Sequence, residues 1–326
     1  MQLQTNFDIP LTPCPIDHSA PILSIGSCFS AVMGQHLAER KFKVLNNPFG
    51  TLFNPLSLLH LLDISLGIEA FSEALFLAHD GRQLHYSCHS ALSGKNKDDL
   101  KALLKTRCQT TQETLSKASW MIITFGTANI YEHRASGKIV SSCHKQPAKE
   151  FTKRTLSLDE ITKAFSATHA HLKATNPDLN ILLTVSPVRH IKDGIPENQL
   201  SKSILRVACD ELAKAHKNIH YFPSYEIMMD ELRDYRFYKE DLIHPTKQAE
   251  AYIWKKFSKS HLSPSALQYA ENIMDIKRAL AHKPFNPSGI AHQKFLQNLL
   301  KKMERMPAEF DFTKEIKAVN EQLLSF

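Results

Sequence analysis

Two short segments, far apart along the chain, carry the residue types that nucleophilic catalysis uses. The first reads GSCFS and supplies Ser27 and Cys28 as candidate nucleophiles. The second reads DLIHP and supplies Asp241 and His244. A hydroxyl or thiol nucleophile needs a base to take its proton, and a histidine oriented by a carboxylate can be that base. The two segments together therefore suggest nucleophilic catalysis.

The GSCFS segment stands where a predicted strand ends and a predicted helix begins. At such a junction the backbone N–H groups point outward and hold an anion, and the helix dipole lowers the pKa of a nearby thiol. The same residues also have a structural interpretation, in which Gly26 makes the turn, Ser27 caps the helix and Cys28 is a small buried apolar residue. The segment alone leaves both interpretations open.

The DLIHP segment precedes a helix of apolar period, and Pro245 suits the first helical position. His244 is then held at an exposed edge just before that helix. Asp241, three residues earlier, can hold the imidazole Nδ1–H and leave Nε2 free to take a proton from a nucleophile. The alternative is a solvated acidic loop with a capping histidine, so the pair is informative only in combination with a nucleophile.

The elements that must position these residues alternate along residues 21–258. Short runs rich in Ile, Val and Phe are followed by longer stretches with apolar residues three and four apart, which predicts a parallel sheet covered by helices. The predicted strands are residues 21–25, 120–125, 180–185 and 219–222, with a weaker one at 42–45. The predicted helices lie at about 29–40, 100–115, 197–216 and 246–257. Residues 129–144 are expected to form a hairpin insertion, because turn residues separate two short apolar runs there.

The strand pattern stops at residue 263, and three helical stretches broken by prolines follow at about 265–282, 292–306 and 312–324. We therefore expect a main domain over residues 1–262 and a helical C-terminal extension over 263–326. Three short helices cannot bury their apolar stripes among themselves, so the extension is expected to pack on the main domain, with dimerisation through these stripes as the alternative. We further expect Phe285 to anchor on that domain, and the extension to cover one side of the cleft.

With both chemical segments in this order, the sequence resembles the GSCFA-domain proteins, a family placed among the SGNH/GDSL-like hydrolases. GSCFS differs from the family's name motif only in its last residue, and the resemblance covers about residues 20–258. Further matching segments are NPFGT at 47–51, TFGTA at 124–128, SCHK at 142–145, SPVRH at 186–190 and RDYRFY at 233–238.

The resemblance implies an α/β fold, a three-layer α/β/α sandwich with a mainly parallel sheet, and it aligns Cys28, not Ser27, with the hydrolases' nucleophile. Gly50 matches a block whose N–H contributes to the oxyanion hole. Gly126 and Asn129 fall where another block presents an asparagine. Asn129 stands three residues after the glycine, whereas the hydrolases' asparagine comes two after it, so a turn or strand-end role is the alternative for Asn129.

Three further residues are candidates for substrate contacts. His144 belongs to the shared SCHK segment and is expected beside the cleft. Ser186 and Arg189 follow the carboxyl end of a predicted strand, where ligands bind in open α/β sheets, and a guanidinium suits a substrate anion. The alternative for Arg189 is a surface salt bridge.

Composition and charge argue against other classes of protein. The net charge of +7 is spread over many helices without an aromatic-plus-basic motif, so no nucleic-acid partner is expected. No stretch approaches the roughly 18 to 20 apolar residues that span a bilayer, and no secretory signal is visible, so we expect a cytoplasmic protein without a membrane partner. Six cysteines in such a chain are expected to be reduced. The oligomeric state is left open.

Histidine and cysteine cluster at residues 85–89 and 143–144, which raises the question of zinc. Adjacent Cys-His pairs seldom direct both side chains at one ion, and no paired C-x-x-C is present, so we expect neither a metal nor a cofactor.

The sequence thus predicts an SGNH-type hydrolase or acyltransferase acting on O-acyl esters of carbohydrates or other small alcohols. In this hypothesis Cys28 or Ser27 attacks, His244 is the base and then the acid, Asp241 orients it, and the N–H groups of Cys28 and Gly50 hold the oxyanion. The competing hypothesis is a ligand-binding module on a hydrolase fold that turns nothing over, because a fold does not by itself certify chemistry.

Overall fold

The centre of the molecule is a five-stranded parallel sheet, seen in a computed structural model that describes residues 5–323. The strands, in chain order, are β1 (Ile22–Gly26), β2 (Val44–Asn46), β3 (Phe76–His79), β4 (Arg82–His85), β5 (Trp120–Phe125), β6 (Asn129–His133), β7 (Lys138–Val140), β8 (Phe151–Thr155), β9 (Asn180–Val185) and β10 (Ile219–Tyr221). The order across the central sheet is β10-β9-β5-β1-β2. After β1 the chain adds β2 on one side and later adds β5 on the other side, so the order of strand addition reverses between β1 and β5. Open α/β sheets bind ligands at such a point.

Within residues 5–323, ten helices surround the sheets. They are α1 (Cys28–Glu39), α2 (Pro55–Ser65), α3 (Lys97–Leu115), α4 (Leu158–Thr175), α5 (Ile195–Ala215), α6 (Ser224–Glu226), α7 (Lys247–His261), α8 (Pro264–Ala281), α9 (Ile290–Glu304) and α10 (Thr313–Asn320). Helix α6 continues into one π-helical turn at Ile227–Glu231, and short 3-10 turns occur at Glu73–Leu75, Ala148–Glu150, Ile191–Asp193 and Tyr235–Phe237.

Side chains of the central strands alternate between two cores, one on each face of the sheet. Leu23 and Met121 join the core that α2, α3, α4 and α5 cover, whereas Ile22 and Trp120 join the core beneath α1 and α7. Alternation follows from the two-residue period of a strand, and coverage of both faces is what parallel sheets require. The predicted α/β fold class, a three-layer sandwich with a helical C-terminal region, is confirmed.

Helices α2 and α4 were not predicted. Nine of the eleven residues of α2 are buried, including the neighbours Leu58, Leu59, Leu61 and Leu62, so its sequence shows no apolar stripe against a polar face. Without that contrast the helical period that sequence patterns reveal is lost.

The expected hairpin insertion is present as β6 and β7, which pair antiparallel with Tyr131 opposite Val140. Strand β8 adds a third strand on the other side of β6, and a separate hairpin is formed by β3 and β4. Leu75, Tyr86, Val140 and Phe151 form a small core that joins the two units. A second layer of antiparallel structure thus stands beside the main sheet.

The C-terminal helices have a core of their own and also contact the rest of the chain. Ala266 and Ala270 of α8 pack into the core under α1 and α7, while Ile273 and Ile276 of the same helix belong to the core of α9 and α10. Helix α8 therefore connects the two cores. None of the helices between residues 5 and 323 is both long and apolar enough to cross a membrane.

Two expectations about the C-terminal region are wrong. Phe285 is fully exposed at 110%, so it does not anchor on the main domain. Within the described residues, the lining of the cleft defined below ends at His244, so the C-terminal helices do not cover it. The predicted third stretch ends at Leu324, which lies outside the described residues.

Candidate active site

The turn from β1 into α1 is built around Gly26. Its φ is +135°, and a Cβ at this position would stand 2.2 Å from the Thr124 carbonyl oxygen, so only glycine fits. The Gly26 N–H donates to Asn47 Oδ1 at 2.9 Å, and its carbonyl accepts from the Leu52 N–H at 2.9 Å. The junction is thus tied to both neighbouring segments, which fixes the residues that follow it.

Ser27 and Cys28 have different surroundings at this junction. Ser27 is completely buried and is the N-cap of α1, with Oγ accepting from the Phe29 N–H at 3.3 Å. Cys28 occupies the first helical position, is partly exposed and lines the cleft. The capping role expected for Ser27 is therefore observed, and the thiol is the group that faces the cleft.

The environment of Cys28 acts on its pKa in two directions. Partial burial raises the pKa of the thiol, and this effect prevails. The charge of Lys202 is the largest influence that lowers this pKa, followed by the backbone N–H groups of Cys28 and Phe29. The thiol is therefore protonated at neutral pH and needs a base before it can attack.

The Asp241–His244 pair is formed as the sequence suggests. His244 Nδ1 lies 2.7 Å from Asp241 Oδ2, and Asp241 Oδ1 accepts from the backbone N–H groups of Ile243 and His244, both at 2.9 Å. These three contacts, with the backbone bonds first, lower the pKa of Asp241 to about 2. The carboxylate is ionised, so His244 carries its proton on Nδ1 and presents Nε2 as an acceptor.

Cys28 and His244 line one cleft of about 550 Å³ at the carboxyl edge of the sheet. Between residues 5 and 323 no hydrogen bond joins the thiol to the imidazole, so the two groups share the cleft without direct contact through a hydrogen bond. The remaining lining residues are Phe53, Asn54, Thr127, Asn129, Tyr131, Val140, Ser141, Lys153, Val188, Arg189, His190, Ile191, Lys192, Asp193 and Ile243.

The two glycines assigned to the oxyanion hole do not offer an N–H to this cleft. The Gly50 N–H donates to the Asn47 carbonyl at 2.9 Å, and Gly50 packs against the His89 side chain and is not among the residues that line the cleft. The Gly126 N–H donates to the Phe53 carbonyl at 2.7 Å. Both donors are used within turns of the fold, which corrects the role that the resemblance implied for them.

Asn129 lies in the cleft but its amide is already engaged. Its Oδ1 accepts from the Thr155 hydroxyl at 2.7 Å, and its Nδ2 donates to Asp193 Oδ2 at 3.4 Å. Asp193 also pairs with Lys153. Asn129 thus belongs to a polar group of the cleft wall, together with Lys153 and Asp193, which agrees with a strand-end role at the start of β6.

His144 and Ser186 are buried away from the cleft. His144 Nε2 bonds to the His85 carbonyl at 3.0 Å, and Nδ1 bonds to Ser90 Oγ at 2.9 Å. The expectation that His144 lies beside the cleft is therefore wrong. Ser186 is fully buried, and its Oγ accepts from the Val188 N–H at 3.2 Å. Both side chains stabilise turns. Among residues 5–323, no group of three or more His, Cys, Asp or Glu side chains is arranged to hold a metal ion.

Arg189 stands on the rim between this cleft and a neighbouring groove of about 510 Å³. Its Nη2 donates to the Leu242 carbonyl, and its guanidinium lies 4.6 Å from the centre of the Tyr238 ring. Within residues 5–323 it forms no salt bridge with a carboxylate, so the surface ion pair considered above is absent. Arg189 instead stabilises the loop that carries His244.

Comparison with known proteins assigns the family. A family model described as "GSCFA family" matches residues 21–257, and one described as "GSCFA domain protein, C-terminal domain" matches residues 273–325. The chain belongs to the GSCFA family. No curated protein matches it.

Among solved structures, this GSCFA-family chain is similar to an acetyl xylan esterase (Est2A) from the rumen bacterium Butyrivibrio proteoclasticus. The identity is 10% and the TM-score 0.31, and the match covers 80% of this chain and 66% of the esterase. The chain thus spans slightly under two thirds of that protein.

Sequence reasoning about this GSCFA-family chain missed the inner face of α5. Asn198 Oδ1 accepts from the His190 N–H, Ser201 Oγ accepts from the Ala128 N–H, and Lys202 Nζ donates to the carbonyls of Gly126 and Ser186. One helix thereby holds the segments that follow β5 and β9. The available signal was a lysine inside the apolar stripe of an amphipathic helix, a position that charged residues seldom occupy.

The sequence placed His190 with Ser186 and Arg189 after the carboxyl end of a strand, where ligands bind, but gave it no role in the site, and the structure shows it lining the cleft. Burial, then the nearby charge of Lys202, lower the pKa of His190 to about 4, so the ring is neutral. Its Nε2 is buried and has no hydrogen-bond partner among the described residues. The ring packs edge-on against Phe53 at 5.1 Å. His190 therefore shapes the floor of the cleft as an uncharged group.

Proposed function

We propose that this protein is an SGNH-type enzyme that hydrolyses or transfers O-acyl groups, with Cys28 as its nucleophile. The observation that carries the proposal is one cleft lined by two groups. These are the Cys28 thiol at the start of α1 and the His244 imidazole, whose Nδ1 Asp241 holds at 2.7 Å. A thiol, a base and an orienting carboxylate are the minimal set for acyl transfer through a covalent intermediate.

In the proposed reaction the thiol proton passes to His244 Nε2 as Cys28 Sγ bonds to the acyl carbon. The tetrahedral species collapses, the bond from the acyl carbon to the alcohol oxygen breaks, and His244 returns the proton to that oxygen. A thioester remains on Cys28. Water or a second alcohol, deprotonated by His244, then attacks the thioester, and the departing sulfur takes the proton back.

The Cys28 N–H is the oxyanion donor that this proposal retains. It stands at the first position of α1, among the N–H groups that have no acceptor within a helix. The positive end of the helix dipole adds to the attraction for a developing negative charge.

The cleft wall around Asn129 supports a polyhydroxylated alcohol, such as a carbohydrate, as the leaving group. Asn129, Tyr131, Lys153 and Asp193 bring an amide, a phenol ring, an ammonium and a carboxylate to that wall. Fixed polar groups beside an aromatic ring are suited to hydroxyl-bearing ligands, because they supply both donors and acceptors.

A ligand-binding module without turnover is the second candidate. It is favoured by the raised pKa of the Cys28 thiol and by the engagement of the Gly50 N–H with the Asn47 carbonyl, since both weaken the expected catalytic set. Saturable binding of an O-acyl ester without product formation, measured by calorimetry and chromatography, would support this candidate.

The experiment that tests the enzyme is hydrolysis of a short-chain aryl ester by purified variants. Cys28→Ala is expected to reduce turnover to the uncatalysed rate and to remove any thioester adduct seen by intact-protein mass spectrometry. Ser27→Ala loses the helix cap, worth about 1 kcal/mol of stability, and keeps its turnover.

Cys143→Ala is the matched control, because it removes another partly exposed thiol that lies outside the cleft. It should retain full activity. Undiminished hydrolysis by Cys28→Ala would contradict the nucleophile assignment, and a loss in Ser27→Ala with retention in Cys28→Ala would transfer the role to Ser27.

A further inference from the structure

The ammonium of Lys202 lies inside the main domain. The residue is 1% exposed, and Nζ donates to the Gly126 carbonyl at 2.7 Å and to the Ser186 carbonyl at 2.8 Å. In the described part of the chain no carboxylate lies within salt-bridge distance of it. Burial lowers the pKa of Lys202 to about 7. A buried cation without a counter-ion is costly, so proteins seldom keep one without a use for it.

The register of the sheet locates this cation relative to the nucleophile. Gly26 of β1 is paired with Thr124 of β5, and Thr124 with Thr184 of β9. Gly126 and Ser186, whose carbonyls accept from Lys202, each stand two residues after this paired row. Cys28 likewise stands two residues after Gly26. The two carbonyls that hold the ammonium belong to the segments that carry Thr127 and Val188 into the cleft that Cys28 lines, so the ammonium is held at the same edge of the sheet as the thiol.

Other groups near Cys28 do not supply this charge. His190 is neutral, and Lys239 is half exposed, with its ammonium 3.9 Å from Glu250. An exposed charge is screened by water and salt, whereas a buried one keeps its effect.

We propose that the missing counter-ion of Lys202 is the thiolate that Cys28 forms when its proton passes to His244, and that Lys202 is a positioning residue that stabilises this thiolate through space. The inference rests on the proposed nucleophilic role of Cys28. Lys202 keeps its protons on the two carbonyls and takes none from the thiol, because His244 lines the cleft and accepts that proton. The effect is mutual, since an ionised Cys28 raises the pKa of Lys202 in turn.

The test is the pH profile of Cys28 alkylation by iodoacetamide in the full chain, followed by peptide-resolved mass spectrometry so that the exposed Cys14 does not interfere. Lys202→Met removes the charge. It should move the midpoint of the profile up by about one pH unit, which slows alkylation below the midpoint about tenfold. Lys239→Met is the matched control, and it should shift the midpoint little, with a shift that disappears in high salt.

Two further arms keep the test decisive if Lys202→Met does not fold. Lys202→Gln removes the charge but retains an amide donor for the two carbonyls, and the same rise in the midpoint is expected. In the wild type, raising NaCl from about 20 to about 500 mM should leave the midpoint almost unchanged, because a buried pair is poorly screened.

An unchanged midpoint in a folded Lys202 variant, an equal shift in Lys239→Met, or a strongly salt-dependent wild-type midpoint would overturn the proposal. The readout needs no turnover. A chain that shows the Lys202-dependent profile but hydrolyses no ester would therefore refute the proposed enzyme while leaving the ion pair standing.

Discussion

Asp241 has two tasks, one for each of its oxygens. Oδ1 accepts from the N–H groups of Ile243 and His244 and so shapes the loop, while Oδ2 faces Nδ1 of the imidazole. Leu242, at a φ of 57°, allows the tight bend between them. The side chain that folds the loop therefore also selects the tautomer of the base.

Asp241→Asn separates these two tasks. The amide oxygen of the new side chain takes the place of Oδ1, so the loop is kept, and its NH2 group then faces His244 Nδ1. The histidine must carry its proton on Nε2 and can no longer accept one from Cys28. We expect kcat for aryl ester hydrolysis to fall on the order of a thousandfold with little change in stability.

Asp234→Asn is the control for this change. Asp234 Oδ1 accepts from the Arg236 N–H in a similar turn outside the cleft, and an asparagine oxygen preserves that bond. Its kcat should stay close to that of the wild type. Wild-type turnover in Asp241→Asn would show that the carboxylate does not orient the base.

At the scale of elements, the central strands were the most predictable part of the molecule. The observed bounds of β5 and β9 agree with the prediction to the residue, because both are short apolar runs buried on two faces. Strand β8 was missed, since its residues are mostly exposed and lack an apolar pattern.

The parts of the site that the sequence predicted are those contained in one local segment. Cys28 follows its strand directly, and Asp241 reaches His244 across three residues. The contacts of Lys202 with Gly126 and Ser186 join residues 76 and 16 positions apart, and no local pattern encodes such a contact. Gly50 shows the converse error, because the resemblance implied an oxyanion role for its N–H, whereas that N–H donates to the Asn47 carbonyl in its own turn.

Gly26→Ala tests the β1–α1 junction as an element. The positive φ and the clash with the Thr124 carbonyl both oppose a side chain, so we expect a loss on the order of 3 kcal/mol in the free energy of unfolding. Gly81→Ala is the control, since Gly81 has a φ of +68° but no heavy atom within 4 Å of an added Cβ. It should cost about 1 kcal/mol, from backbone strain alone.

Urea denaturation of the two variants measures the difference. Equal losses would mean that the close approach of β1 to β5 relaxes freely. The junction would then be less rigid than its contacts indicate.

At the scale of the whole molecule, the C-terminal helices are joined to the main domain by more than α8. Phe310 packs edge-on against His18 at 4.8 Å, and Lys41 forms a salt bridge with Glu315 at 2.9 Å. We propose that residues 1–262 and 263–326 are two units that unfold together because of this contact surface.

Phe310→Ala tests that coupling, because both tryptophans, Trp120 and Trp254, lie in residues 1–262 and their fluorescence reports on unfolding of the main-domain cores. Loss of a phenyl ring that is 6% exposed should lower the free energy of unfolding by about 3 kcal/mol in the fluorescence transition. Phe285→Ala removes a fully exposed ring and should change it by less than about 0.5 kcal/mol. A fluorescence transition unaffected by Phe310→Ala would mean that the two units unfold independently.

The walls of the cleft have separate origins in the chain. Cys28 follows β1 of the parallel sheet and His244 lies in the loop before α7. Asn129, Tyr131 and Lys153 belong instead to the small antiparallel sheet of β6, β7 and β8. Val140 and Phe151 anchor that sheet in the small core and Ile130 anchors it in the main core, whereas its cleft-lining side chains on β6 and β8 are at least partly exposed. Those side chains can therefore be exchanged with little effect on the junction after β1 or the loop before α7. In the proposed enzyme, reactivity and recognition thus come from different sheets, and exchanging the cleft-lining side chains of β6 and β8 is expected to change the preference for the alcohol while leaving the proposed reaction centre intact.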